Sequence, residues 1–175
     1  MIFAYHADLS NASHFAKQSK LKGLGSVQYP NGYWRQWGGL ARGWPAKDRW
    51  NGEPSIELDR FDKVSQGEPV WLMGYSDGAE MASYIATRRS EQVLGVVSYA
   101  GRMRYPVMTF KKFPVLILWN KNDKRQKWDA AVHVEETYDA MGHNVVSLVV
   151  GNDWTHWGGW DPYANLIIEE WMKNV

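Results

Sequence analysis

The stretch Val70-Trp71-Leu72-Met73-Gly74-Tyr75-Ser76-Asp77-Gly78-Ala79-Glu80-Met81-Ala82 decides how the chain is read. Residues 69–73 have the length and composition of a buried strand, and residues 77–89 carry Met81, Ile85 and small alanines suited to a packed helix. Between them stands Gly-x-Ser-x-Gly. A serine on so tight a strand-to-helix turn takes a strained backbone conformation, and glycine at the flanking positions removes the side chains that would clash there. The turn lifts the Ser76 hydroxyl above the sheet. It also sets the serine at a helix N-terminus, where backbone N–H groups favour developing negative charge. The five-residue pattern is weak by itself, and the strand before it and helix after it give it weight.

The pattern extends outward in both directions. Residues 1–5 read as a short buried strand. Asn11 caps a helix that runs to about Leu21, with Gly23 as its stop. Residues 25–29 form a second strand, closed by Pro30-Asn31-Gly32. Residues 30–54 carry Trp34, Trp37, Trp44 and Trp50 without a clean period and read as a long surface loop, a feature that usually serves function. Ser55 caps a helix with Ile56, Phe61 and Val64 as candidates for its buried face. Strands follow at 94–99, 114–119 and 144–150, with helices at 128–141 and 162–174. Continuous apolar strands separated by helices indicate a mainly parallel sheet covered on both faces.

Composition bounds the function. The chain has 175 residues, enough for one domain with a real core, and no cysteine, which excludes disulfide frameworks, thiolate zinc sites and cysteine nucleophiles. Its 20 Lys+Arg balance 19 Asp+Glu, leaving no electrostatic basis for a grip on nucleic acid or an anionic membrane. No apolar run approaches the length of a membrane span, and residues 1–6 lack the features of a secretory signal, so a cytoplasmic location is expected. There is no P-loop, no dinucleotide fingerprint and no histidine spacing for zinc, and no cofactor or metal is expected. The composition sets no oligomeric state and is compatible with a monomer.

A serine nucleophile needs a base, and the base needs an orienting acid. Asp123 follows the strand at 114–119 and His156 follows the strand at 144–150. Both therefore stand at the C-terminal edge of the sheet with Ser76, where catalytic groups gather in open α/β folds. Asp129 and Asp153 are rival acids, and Asp123 is preferred for its loop position. The other histidines fit worse: His133 and His14 lie in helices, His143 follows a helix stop, and His6 follows the first strand as a structural neighbour. Two backbone donors are expected for the oxyanion. One is the N–H of Asp77, and the other is that of Asp8, with Ala7 as the alternative.

With these residues in place, the chain resembles an α/β-hydrolase. The element order is similar to that three-layer fold from its third strand onward, giving about six mainly parallel strands with the family's first two missing. The whole of residues 1–175 then forms a single domain. The segments Tyr29-Pro30-Asn31-Gly32, Gly74–Ala82 and Tyr99-Ala100-Gly101 look like the polyhydroxyalkanoate depolymerase and feruloyl esterase branch. The family often has His-Gly-Gly after the first shared strand, where this chain has His6-Ala7-Asp8. The resemblance implies a serine esterase acting on a small-molecule ester, with Gly74–Gly78 as the nucleophile elbow and Ser76, Asp123 and His156 as its triad. The tryptophans have two readings. Trp71, Trp119 and Trp171 read as core. Trp34, Trp37, Trp44 and Trp50 in the long loop, with Trp154, Trp157 and Trp160 around His156, either pack the loop down or form an aromatic wall for the substrate. The rival function is a catalytically silent hydrolase fold that binds a glycan or aromatic ligand through these rings.

Overall fold

The computed structural model describes residues 1–32, 34–36, 41–44, 53–126, 128–151, 156, 160–161 and 163–175. In chain order the elements are β1 (Ile2–Tyr5), α1 (Ala12–Ser19), β2 (Val27–Gln28), β3 (Trp34–Gln36), β4 (Ala41–Gly43), α2 (Glu53–Ser65) and β5 (Val70–Tyr75). They continue with α3 (Asp77–Arg88), β6 (Val93–Tyr99), β7 (Pro114–Trp119), α4 (Trp128–Ala140), β8 (Asn144–Val149) and α5 (Ala164–Lys173). Six strands form one sheet in the order β2-β1-β5-β6-β7-β8. Every pairing within it is parallel.

The strands are apolar throughout because both faces are covered, and the period of two sorts their side chains into two cores. Phe3, Tyr5, Leu72, Val96, Val115 and Ile117 meet Phe61 of α2, Met81 and Ile85 of α3, and Val134 and Tyr138 of α4. Ile2, Ala4, Met73, Tyr75, Val97, Tyr99, Leu116 and Leu118 meet Phe15 of α1 together with Trp160 and Ile168 and Trp171 of α5. The result is a three-layer α/β architecture with α2, α3 and α4 on one side and α1 and α5 on the other.

Three sequence expectations change. The stretch read as an unstructured loop over 30–54 contains the antiparallel pair β3–β4, in register Trp34 to Gly43. Strands this short leave too few residues for an alternating pattern to be visible. Helix α2 begins at Glu53, before Ser55, and its buried stripe is Glu57, Phe61 and Ser65 at i, i+4 spacing. Ile56 and Val64 lie one residue off that stripe and are 46% and 37% exposed. Glu57 holds its place in the stripe through an ion pair with Arg60 at 3.2 Å. Finally, Trp71 and Trp119 are only partly buried against the two cores, whereas Trp171 is buried.

The contact that seats α3 depends on two glycines. A Cβ at Gly78 would overlap the carbonyl oxygens of Tyr5 and His6, and one at Gly74 would overlap the carbonyl of Gly78. The helix therefore lies directly on the C-terminal end of β1. Gly78→Ala is expected to destabilise the protein by on the order of 3 kcal/mol, because the clash is with main chain that cannot swing aside. A urea-denaturation midpoint unchanged from wild type would contradict this account of the α3–β1 contact.

Candidate active site

Ser76 is the hinge between β5 and α3. Its φ of 56° and ψ of −124° lie outside the regions that L residues favour. The strain is held by main-chain bonds on both sides. The Ser76 N–H donates to Tyr99 O on β6 at 2.9 Å, and its own carbonyl accepts from Ala79 N at 2.9 Å. Ser76 is 2% exposed.

Three sequence-predicted residues meet here. Ser76 Oγ is 2.8 Å from His156 Nε2. His156 Nδ1 is 2.7 Å from Asp123 Oδ2. A carboxylate only accepts, so Nδ1 carries the proton, and in the neutral ring Nε2 then accepts from the serine hydroxyl. Asp123 is fixed by its own turn: its Oδ1 accepts the N–H groups of Arg125 and Gln126, each at 2.8 Å. Burial alone would raise the Asp123 pKa. The bonds from His156, Gln126 and Arg125 outweigh it and hold the carboxyl below its ordinary range. Of the rival acids, Asp129 stands in the first turn of α4. Asp153 lies outside the described residues.

Of the remaining histidines, three are engaged elsewhere or lie apart, and His14 borders the site. His6 Nε2 accepts from Gly32 N at 3.0 Å, so its Nδ1–H faces Ala7 O at 2.7 Å. His143 is buried against Phe113, with Nε2 at 2.9 Å from Thr109 Oγ1. His133 is exposed on α4. His14 lies on α1 and lines the cavity described next.

A cavity of about 150 Å³ opens beside Ser76 and His156. One wall is Ala7, Asp8, Leu9 and Ser10, the segment expected to hold the second oxyanion donor. Leu9 has a φ of 59°, which turns the chain sharply there. Asp77 opens α3, and amides of a first helical turn lack an intrahelical acceptor by position.

The tryptophans divide. Trp37, Trp154 and Trp157, like Trp50, fall outside the described residues, and of Trp34 only the backbone, in β3, is described. Trp44 is buried, packs on Tyr5 and His6, and donates its indole N–H to His6 O at 2.6 Å. Trp160 is fully buried between Phe15 and Tyr99. Among the described residues Phe15, Tyr75 and Arg125 also line the cavity, and sequence reasoning missed all three. The topology held a signal for Phe15, since α1 leaves from the same sheet edge as α3. Tyr75 was hidden as the variable residue of the serine motif.

Among the described residues no group of three acidic, histidine or cysteine side chains could hold a metal ion, and no helix is long and apolar enough to cross a membrane.

No family model matches the chain, and no curated protein does. Solved structures match in fold. A carboxylesterase from Bacillus cereus superposes with a TM-score of 0.81 at 14% identity, covering 99% of this chain and 87% of the other. A carboxylesterase from Mesorhizobium loti gives 0.81 at 11% identity, covering 99% and 88%. Arabidopsis thaliana SOBER1 gives 0.78 at 13% identity, covering 99% and 97%. The likeness runs over nearly the whole chain, and the architecture is the three-layer α/β-hydrolase fold.

One further carboxyl sits a turn beyond Ser76. Glu80 is 5% exposed, and its N–H reaches Ser76 O at 3.3 Å. Burial raises its pKa to about 7; Arg104, paired at 3.1 Å, and Arg102 oppose the rise, and Asp77 adds to it. The folded-state value lies above that of the unfolded chain. The stability linked to Glu80 is therefore full below the ordinary carboxylate range and is lost as pH rises through about 7. Glu80→Gln is expected to gain on wild type, in urea midpoint, between pH 5 and pH 8. A gap between the two proteins that does not change with pH would refute the assignment.

Proposed function

We propose that the protein is a serine hydrolase that cleaves a carboxylic ester through an acyl-enzyme on Ser76. The observation that carries the reading is the continuous chain of hydrogen bonds from Ser76 Oγ through His156 to Asp123. In the proposed reaction Ser76 Oγ attacks the ester carbonyl carbon, and its proton passes to His156 Nε2. Asp123 keeps the imidazole oriented and stabilises the imidazolium. The carbonyl oxygen becomes an oxyanion and is received by the N–H groups of Asp77 and Asp8. As the tetrahedral intermediate collapses, the alcohol leaves with the proton from Nε2. Water then attacks the acyl-enzyme with His156 as base, releasing the acid and restoring Ser76. The cycle calls on no cofactor.

The cavity size favours a small acyl group, so short esters are expected to turn over faster than long-chain ones. The finer kinship with the polyhydroxyalkanoate depolymerase and feruloyl esterase branch rests on three short stretches. It is best tested by adding a hydroxybutyrate oligomer and a feruloyl ester to the same substrate panel.

A fluorophosphonate probe should label the wild type and fail to label Ser76→Ala. Labelling that survives in that variant would overturn the nucleophile assignment, and a wild type that takes no label would favour a silent binding module. Asp123→Asn should lower kcat on the order of 10⁴-fold, the loss this exchange causes in a well-studied serine triad. Ester turnover close to wild type in that variant would show that another acid supports His156.

A further inference from the structure

The serine motif does not specify the residue before its serine. Here that residue is Tyr75, the last of β5, 3% exposed and turned toward the face covered by α1 and α5. Its phenol donates to the main-chain carbonyl of His156 at 2.6 Å, across 81 residues of sequence. Its ring lies nearly parallel to the imidazole, with centroids 5.5 Å apart and planes at 24°. Tyr99 braces the ring edge-on at 5.1 Å, and Trp160 braces Tyr99 at 5.3 Å.

We propose that Tyr75 is a positioning residue: bonded covalently to Ser76 and by hydrogen bond to the His156 carbonyl, it sets the distance between Ser76 Oγ and His156 Nε2. Asp123 and Ser76 hold the two ring nitrogens and so orient the imidazole. Neither fixes the main chain from which the ring hangs, and the phenol does. Burial, with Tyr99 and Asp123 adding and Arg125 opposing, pushes the phenol's pKa upward, so it remains a donor at any working pH. A reacting group displaced by about 1 Å loses on the order of 10²-fold in rate, so a tie of this kind acts on kcat rather than on substrate affinity. The kinetic consequence rests on the hydrolase reading above, whereas the structural tie does not.

The test compares wild type, Tyr75→Phe and Tyr138→Phe. Tyr138 is a fully buried tyrosine of α4, packed on Phe113 and His143 away from the site. The readouts are kcat and KM for 4-nitrophenyl acetate, thermal midpoint, and hydrogen exchange of the His156 amide. Tyr75→Phe should lower kcat about tenfold with KM within about twofold, and should speed His156 exchange about tenfold. Tyr138→Phe should keep kcat and His156 exchange at wild-type values. Equal losses of kcat in both variants would mean general loosening and would overturn the proposal, as would wild-type kcat and exchange in Tyr75→Phe. If wild type hydrolyses no ester and takes no phosphonate, the hydrolase reading fails. His156 exchange in Tyr75→Phe then decides the tie alone: faster exchange upholds it, and unchanged exchange overturns it.

Discussion

Ser76 can keep its φ of 56° only because its surroundings leave it no alternative. A non-glycine residue in that region costs of order 1–3 kcal/mol, and the structure must supply the difference from elsewhere. It does so by pinning both flanks of the turn. On one side the Ser76 N–H is taken by Tyr99 O, which lies at the end of β6 because β5 and β6 run in register from Trp71/Gly95 to Tyr75/Tyr99. On the other side α3 is pressed against β1 at Gly78, where a single methyl group would have no room. The sheet register and the helix seating thus meet at one residue, and the hydroxyl direction follows from both.

The acid and histidine are delivered by the same edge but by different means. Asp123 is a self-contained turn: it is oriented by the amides of Arg125 and Gln126 before it meets anything distant. A buried carboxylate with three donors is satisfied, which is why the bonds offset the burial that would otherwise neutralise it. His156 is held by contacts from several elements. It depends on contacts made to it, from Asp123 on the ring and from Tyr75 on the main chain.

Sequence reading recovered what periodicity and turn chemistry encode. All six strands of the main sheet and the helices between them were legible because long apolar runs broken by glycine and proline have few other solutions. The order in which Ser76, Asp123 and His156 follow β5, β7 and β8 was legible for the same reason. The short pair β3–β4 was not, since three-residue strands carry no pattern. On α2 Phe61 was read correctly as buried, whereas Ile56 and Val64 were not, because the stripe contains Glu57, a residue that hydropathy assigns to solvent and that pairs with Arg60. The tryptophan wall falls largely on residues outside the described ones, and the lining by Phe15, Tyr75 and Arg125 arises from how α1 and the turn after β7 converge in space. Such convergence leaves no local trace.

Both cores contribute to holding the site. Met81 and Ile85 place α3, and with it the serine turn, in the core shared with α2 and α4. Tyr75, Tyr99, Trp160 and Phe15 form a run of edge-packed rings in the opposite core, and the first of them carries His156. The Ser76–His156 separation of 2.8 Å therefore depends on packing in both cores. Interiors packed to crystal density deform little under small loads, so two such anchors hold a short distance more firmly than a mobile loop could. The arrangement also concentrates risk. A cavity opened in the core of Tyr75 and Tyr99 acts on both partners, because Tyr75 adjoins Ser76 and bonds the His156 carbonyl, and a hydrogen bond near 2.8 Å weakens steeply once its geometry is lost. Substitutions such as Trp160→Ala or Met81→Ala, remote from the cavity, would thus act on this one distance as well as on stability.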